Sequence, residues 1–87
     1  MFYVYMIISK NKEIYIGSTN DLRRRIIEHN QGKSFSTKNN KWKLVYYEGY
    51  FSEKDARTRE QKLKQHGMAK AHLKKRIVAS LREISAG

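Results

Sequence analysis

The sequence predicts an α+β fold, a small three-stranded antiparallel sheet flanked by helices in the order β-β-α-β-α-α. Three observations predict it. The β-branched and aromatic runs FYVYMII and IYIGS lie on either side of the polar stretch SKNKE, as in a hairpin. A third run, WKLVYYEGY at 42–50, follows a polar, turn-rich loop. Between and after these runs, apolar residues recur at helical spacing. Helices packed on an antiparallel sheet are the layer solution such an order allows.

The first element is the strand at 2–8. MFYVYMII has no basic leader and is too short for a bilayer span, which needs about 20 residues, so no signal peptide or transmembrane segment is expected. Side chains alternate faces along a strand, so Tyr3, Tyr5 and Ile7 share one face, and Phe2, Val4, Met6 and Ile8 the other. In the second strand Tyr15 and Gly17 lie opposite Ile14 and Ile16. Hairpin register decides whether Tyr5 and Tyr15 meet. A two-residue loop at Lys10-Asn11 pairs Ser9 with Lys12 and separates them; a three-residue loop pairs Ser9 with Glu13 and brings them together.

STNDL supplies helix-starting side chains, and the first helix is expected from about Asp21 to Asn30, stopping near Gly32. Leu22 and Ile26 mark its dry stripe, with Arg25 and His29 stacked four apart on its flank. Arg24 and Glu28 fall toward water, and Arg23 fits neither pattern. KSFSTKNNK at 33–41 reads as loop, then comes the third strand. Ser52 with Asp55 resembles a capping box opening a second helix that ends near Gly67. On it Ala56, Glu60 and Leu63 share a face, which sets a carboxylate in a stripe that should be buried. It needs a metal or a cation, an arginine for instance. A third helix carries Leu73, Ile77, Leu81 and Ile84 on one stripe. All of 1–87 reads as one domain, with no internal repeat.

Composition narrows the chemistry. There are 19 Lys and Arg against 8 acids, a formal net charge of +11. So basic a chain should meet a polyanion, nucleic acid first, then an anionic membrane surface or an acidic protein. With no cysteine, disulfide scaffolds, zinc ribbons and thiol nucleophiles are excluded, and a cytoplasmic setting is expected. Lys62, Lys64, Lys70 and Lys74, with Lys75 and Arg76, crowd the last two helices and are candidates for gripping a phosphate backbone. No helix reads as a base-reading element, so weak sequence specificity is expected.

YVY at Tyr3–Tyr5, YIG at Tyr15–Gly17, the Arg25/His29 pair and Glu60 together resemble the GIY-YIG nuclease superfamily, above all small stand-alone bacterial members related to the N-terminal domain of an excinuclease. The resemblance runs from about Phe2 to Lys75, and YIGSTNDLRRRIIEHNQG is its specific part. Tyr3 stands where the name-giving glycine would be, and Ser18 where the excinuclease branch has lysine. The resemblance implies Tyr5 and Tyr15 as the motif tyrosines, on one sheet face with Arg25 and His29 opposite them, Gly17 as the position where a side chain would crowd an approaching phosphate, Arg25 as the helix arginine, and His29 at a His-or-Tyr position. It implies Glu60 as the single metal-binding carboxylate. The implied activity is a divalent-metal-dependent endonuclease, using Mg²⁺ or Mn²⁺, that hydrolyses phosphodiester bonds in DNA, with repair or recombination as the setting and a protein partner as a source of specificity.

The chemistry asks for such a set. A water must lose a proton, and the phosphate oxygens and the leaving oxygen need positive charge. Mg²⁺ tolerates one carboxylate with waters filling its other positions. Arg25 supplies a planar cation. A tyrosine titrates near pH ~10, and cations around it would lower that. Which tyrosine accepts the proton stays open at this level, as do DNA versus RNA and two rival classes: a catalytically idle nucleic-acid-binding module on the same fold, and an interaction protein with an acidic partner.

Overall fold

The structure, a computed structural model, describes residues 1–34, 37, 40–65 and 67–86, so the loop expected at 33–41 lies partly outside the described residues. Its elements are β1 (Phe2–Ser9), β2 (Ile14–Thr19), α1 (Leu22–Asn30), β3 (Trp42–Tyr50), α2 (Glu53–Gln65), α3 (Gly67–Arg76) and α4 (Val78–Ala86). The strands form one antiparallel sheet in the order β2-β1-β3. β1 is the middle strand and is covered on both faces. Val4 through Ile8 are all buried, which is why its sequence is a continuous apolar run.

The hairpin takes the three-residue loop. Ser9 N–H donates to the Glu13 carbonyl at 3.0 Å and Lys12 N–H to the Ser9 carbonyl at 3.0 Å, while Lys12 sits in the left-handed region at φ 63°. This is a turn followed by a left-handed residue, one of the standard three-residue hairpin closures. Ser9 Oγ accepts from Asn11 and Glu13 N–H groups and steadies the loop. The register pairs Tyr5 with Gly17 and Ile7 with Tyr15, so both motif tyrosines share a face.

Two small cores lie on opposite faces of the sheet. On one, Val4, Met6 and Ile16 meet Ala56 and Leu63 of α2 and Leu73 of α3. On the other, Tyr5, Ile7 and Trp42 meet Leu22 and Ile26 of α1. Fully burying a leucine such as Leu63 contributes about 2 kcal/mol. α1 starts at Asp21, whose carboxylate accepts the Arg24 N–H at 3.1 Å. It ends with Gly32 at φ 76°, Gly32 N–H on the His29 carbonyl and Lys33 N–H on the Glu28 carbonyl, a Schellman closure.

The expected third helix is two helices, which makes the order β-β-α-β-α-α-α. The chain bends at Ile77, although Ile77 N–H still reaches the Leu73 carbonyl and Leu81 N–H the Ile77 carbonyl. α3 packs against α2 while α4 packs against β3, and one straight rod cannot lie on both. Among the described residues no helix is long and apolar enough to cross a membrane.

A polar cluster that the sequence reading missed ties α2 to β3. Arg59 grips both oxygens of Glu48, and the hydroxyls of Tyr46 and Tyr50 donate to the same carboxylate. Burial pushes the Glu48 carboxyl up, but the hydrogen bonds from Arg59, Tyr46 and Tyr50 outweigh it and leave it below the usual carboxylate range.

Candidate active site

Two groups of side chains meet around the β2 edge. The first is on the α1 face. Tyr5 and Tyr15 project from neighbouring strands with ring centroids 6.4 Å apart, and His29 from the last turn of α1 lies 5.7 Å from Tyr5 and 5.0 Å from Tyr15. Tyr5 is 1% exposed and His29 0%, whereas Tyr15 is half-buried.

Their hydrogen bonds favour one set of proton positions. His29 Nδ1 lies 2.6 Å from Thr37 Oγ1, and that hydroxyl donates to the Ser34 carbonyl at 3.4 Å. With its one proton committed, Thr37 accepts from Nδ1–H. His29 Nε2 is then bare, and it accepts from the Tyr5 hydroxyl at 2.7 Å. Burial pushes His29 down to about 4, helped by the Arg25 charge, so the imidazole is neutral near pH 7. Thr37 is itself held from the far side, because Trp42 Nε1 donates to its carbonyl at 2.9 Å.

The expectation that cations would lower the tyrosine is reversed at Tyr5. Burial dominates and pushes it up to about 12, with the nearby Arg25 guanidinium acting the other way. The reading of Gly17 also changes. A Cβ there would lie 2.5 Å from the Tyr5 hydroxyl, 2.7 Å from its Cζ and 3.1 Å from Tyr15 Cε1. The space a side chain would take at Gly17 is already filled by the tyrosines.

Arg25 flanks this group as the helix wheel predicted, and its Nη1 pairs with Glu28 Oε1 at 3.0 Å. Glu28 is therefore half-buried rather than out in water. Arg24 is more exposed and reaches Asn20 Oδ1 at 3.1 Å. A polar cleft of about 410 Å³ opens beside them, lined by Ser18, Asn20, Arg24, Arg25 and Arg57 among others.

The second group is on the α2 face. The register sets Ser18 across from Val4, on the side α2 covers, and Ser18 Oγ donates to Glu60 Oε1 at 2.7 Å. Glu60 is half-buried between Ala56 and Leu63, as its stripe implied, and its cation is Lys64, at 2.9 Å from Oε2, rather than an arginine. Lys64 Nζ also lies 5.6 Å from the centre of the Tyr15 ring, which joins the two groups. Of the other lysines, Lys70 lines a groove with Tyr15 and Leu63, while Lys62 and Lys74 are exposed on α2 and α3.

Sequence reasoning missed Thr37, and it named Ser18 only as a departure from the family's lysine and Lys64 only as a candidate for gripping a phosphate backbone. Ser18 left a signal, because it shares the Ile16 face and so must meet α2. Thr37 left none inside a polar loop.

The donor set suits a hard divalent cation. Glu60 and Ser18 offer oxygen, and Glu60 Oε2 takes a cation here, the Lys64 ammonium. Among the described residues no three His, Cys, Asp or Glu cluster to hold a metal.

The GIY-YIG catalytic domain family matches residues 1–76. A UPF0213 protein of Clostridium perfringens is 36% identical over 66 residues, 74% of this chain and 71% of that protein. One from Streptococcus pneumoniae is 36% identical over 64 residues, 71% of this chain and 65% of the relative. A third, from Haloquadratum walsbyi, is 30% identical over 66 residues, 74% of each. No solved structure matches the chain.

Proposed function

We propose that this chain, which belongs to the GIY-YIG family, is a divalent-metal-dependent endonuclease that hydrolyses phosphodiester bonds in DNA. The observation that carries this reading is the convergence of Tyr15, the Tyr5–His29 pair, Arg25 and Glu60 around one edge of the sheet.

Glu60, steadied by Ser18, would hold Mg²⁺ or Mn²⁺. When bound, such a metal supplies Lewis acidity at a phosphate or leaving oxygen. Arg25 presents a planar cation to the phosphate from the opposite side. Tyr15 is the tyrosine that solvent reaches, so it is assigned, as the phenolate after giving its own proton to solvent, the proton of the attacking water. Tyr5 is sealed and its hydroxyl donates a hydrogen bond to His29, so it acts by holding His29, Arg25 and Tyr15 in register. Lys62, Lys70 and Lys74 extend positive charge away from this centre and would track the backbone. The net charge of +11 supports a polyanionic substrate, with repair or recombination in the cytoplasm as the setting and a protein partner supplying specificity.

Cleavage of supercoiled plasmid and of single-stranded DNA, with Mg²⁺ or Mn²⁺, tests this. Wild type should cleave, while Glu60→Gln and wild type in EDTA should not; Tyr15→Phe should lose more rate than Tyr5→Phe. The Glu60–Lys64 pair favours one rival, an idle binding module in which Glu60 is only a structural partner. Salt-sensitive DNA binding by a wild type that never cleaves would establish that rival.

A further inference from the structure

Lys64 lies one turn beyond Glu60 on α2, in the order glutamate then lysine that favours an i,i+4 pair. Its ammonium takes Glu60 Oε2 at 2.9 Å, while Ser18 anchors Oε1 at 2.7 Å. The same ammonium lies 5.6 Å from the Tyr15 ring centre, so one cation stands between the carboxylate and the phenol. The lysine side chain is 45% exposed, and beside it a groove of about 210 Å³ runs past Tyr15, Leu63 and Lys70.

Two physical facts bear on what this lysine does. The lysine end of the pair is 45% exposed, so the ammonium has solvent to move into when a stronger cation arrives. A dication attracts a carboxylate more strongly than a monocation at the same distance. Meanwhile the lysine offsets the Glu60 charge, which would repel a phosphodiester.

We propose that Lys64 is a placeholder cation, occupying the Glu60 oxygen that a divalent metal needs and displaced when that metal binds. This takes the site of the proposed nuclease as its starting point and assigns Lys64 to metal exchange rather than to backbone grip. Metal affinity is then set by competition between two cations for Oε2, with Ser18 keeping the carboxylate aimed throughout.

The test is a titration of the whole chain with Mn²⁺ alone, without nucleic acid, reading the free ion by electron paramagnetic resonance. Lys64→Met should bind Mn²⁺ about tenfold tighter than wild type, because it loses both the competitor and a positive charge a few ångströms from the ion. Lys64→Arg keeps a competing cation and should bind no tighter than wild type. Glu60→Gln and the double variant Glu60→Gln/Lys64→Met should both lose the site. Equal affinity of wild type and Lys64→Met overturns the proposal, as does a gain that survives in the double variant or the absence of Mn²⁺ binding in every form. A tenfold gain in a chain that never cleaves DNA would sink the nuclease reading alone. Cleavage with no gain would sink the placeholder alone.

Discussion

Gly17 lies directly across from Tyr5 in the hairpin register, and a Cβ at Gly17 would stand 2.5 Å from the Tyr5 hydroxyl. The obstruction is a ring with nowhere to go, because Tyr5 is 1% exposed and hydrogen-bonded to His29. Gly17→Ala should therefore destabilise the chain by about 1–3 kcal/mol, as overpacking does, and break the Tyr5–His29 contact. Gly49→Ala is the matched control. Its nearest atom is the flexible tip of Met1 at 3.1 Å, so it should stay within about 0.5 kcal/mol of wild type. Urea denaturation of both variants measures the difference, and equal costs would show that Tyr5 can shift.

Thr37→Val keeps the shape of the side chain and removes the oxygen that accepts from His29 Nδ1–H. A buried N–H left without a partner costs about 1–3 kcal/mol. Thr37→Ser keeps the oxygen and should recover most of that loss. The ¹⁵N shifts of the His29 ring provide a second readout. Nδ1 should carry the proton in wild type, and that preference should weaken in the valine variant while persisting in the serine variant.

His29 should make the fold acid-sensitive. Burial first, then the Arg25 charge, lower it from 6.5 to about 4 in the folded chain. Between those values the unfolded chain binds the proton and the folded chain does not, so stability falls as pH drops from about 6.5 to 4. The full loss is on the order of 3 kcal/mol and is complete below about pH 4. Glu48, also lowered, adds its own loss, but only as pH falls below its ordinary value of 4.5. Melts of wild type and His29→Gln at pH 7, 5.5 and 4.5 separate the two. The glutamine variant should start less stable and lose less on acidification, and parallel curves would clear His29 of the effect.

The strands and the first two helices were legible because their patterns are local: alternation in β1, a cap at Asp21, a terminating Gly32. The hairpin register was expected from the motif resemblance, which set Tyr5 and Tyr15 on one face as the structure does. It was not legible from the turn, whose left-handed position is filled by Lys12 rather than the glycine or asparagine that would have announced it. The bend at Ile77 answers to α2 and β3, which no stripe on a single helix can reveal. At the candidate site, wheel position predicted that Arg25 and His29 flank the dry stripe and that Glu60 needs a cation. What could not be read were partners from distant segments, as with Thr37 on His29 and Ser18 on Glu60. The Glu48 cluster left a trace in Tyr46, Glu48 and Tyr50, three polar-tipped side chains at period two on one strand face, but its arginine comes from α2.

Arg24 and Arg25 are adjacent and equally charged, yet they occupy different surroundings. Arg25 is 29% exposed, pairs with Glu28 at 3.0 Å and sits close enough to Tyr5 to favour its phenolate against the effect of burial. Arg24 is 58% exposed, with its nearest Glu28 contact at 4.0 Å. If the site needed only positive potential, substituting either should have the same effect. If a planar guanidinium must meet the phosphate at a fixed place, Arg25→Lys keeps the charge and loses the fork. Losing one such transition-state contact is worth on the order of 3 kcal/mol, about a hundredfold in rate. Arg24→Lys should then be nearly silent, and Arg24→Ala should cost only a little salt-sensitive affinity through the cleft it lines with Arg57. Single-turnover cleavage of one labelled DNA by the two lysine variants decides between these readings, since equal rates would mean that α1 offers no more than a basic surface.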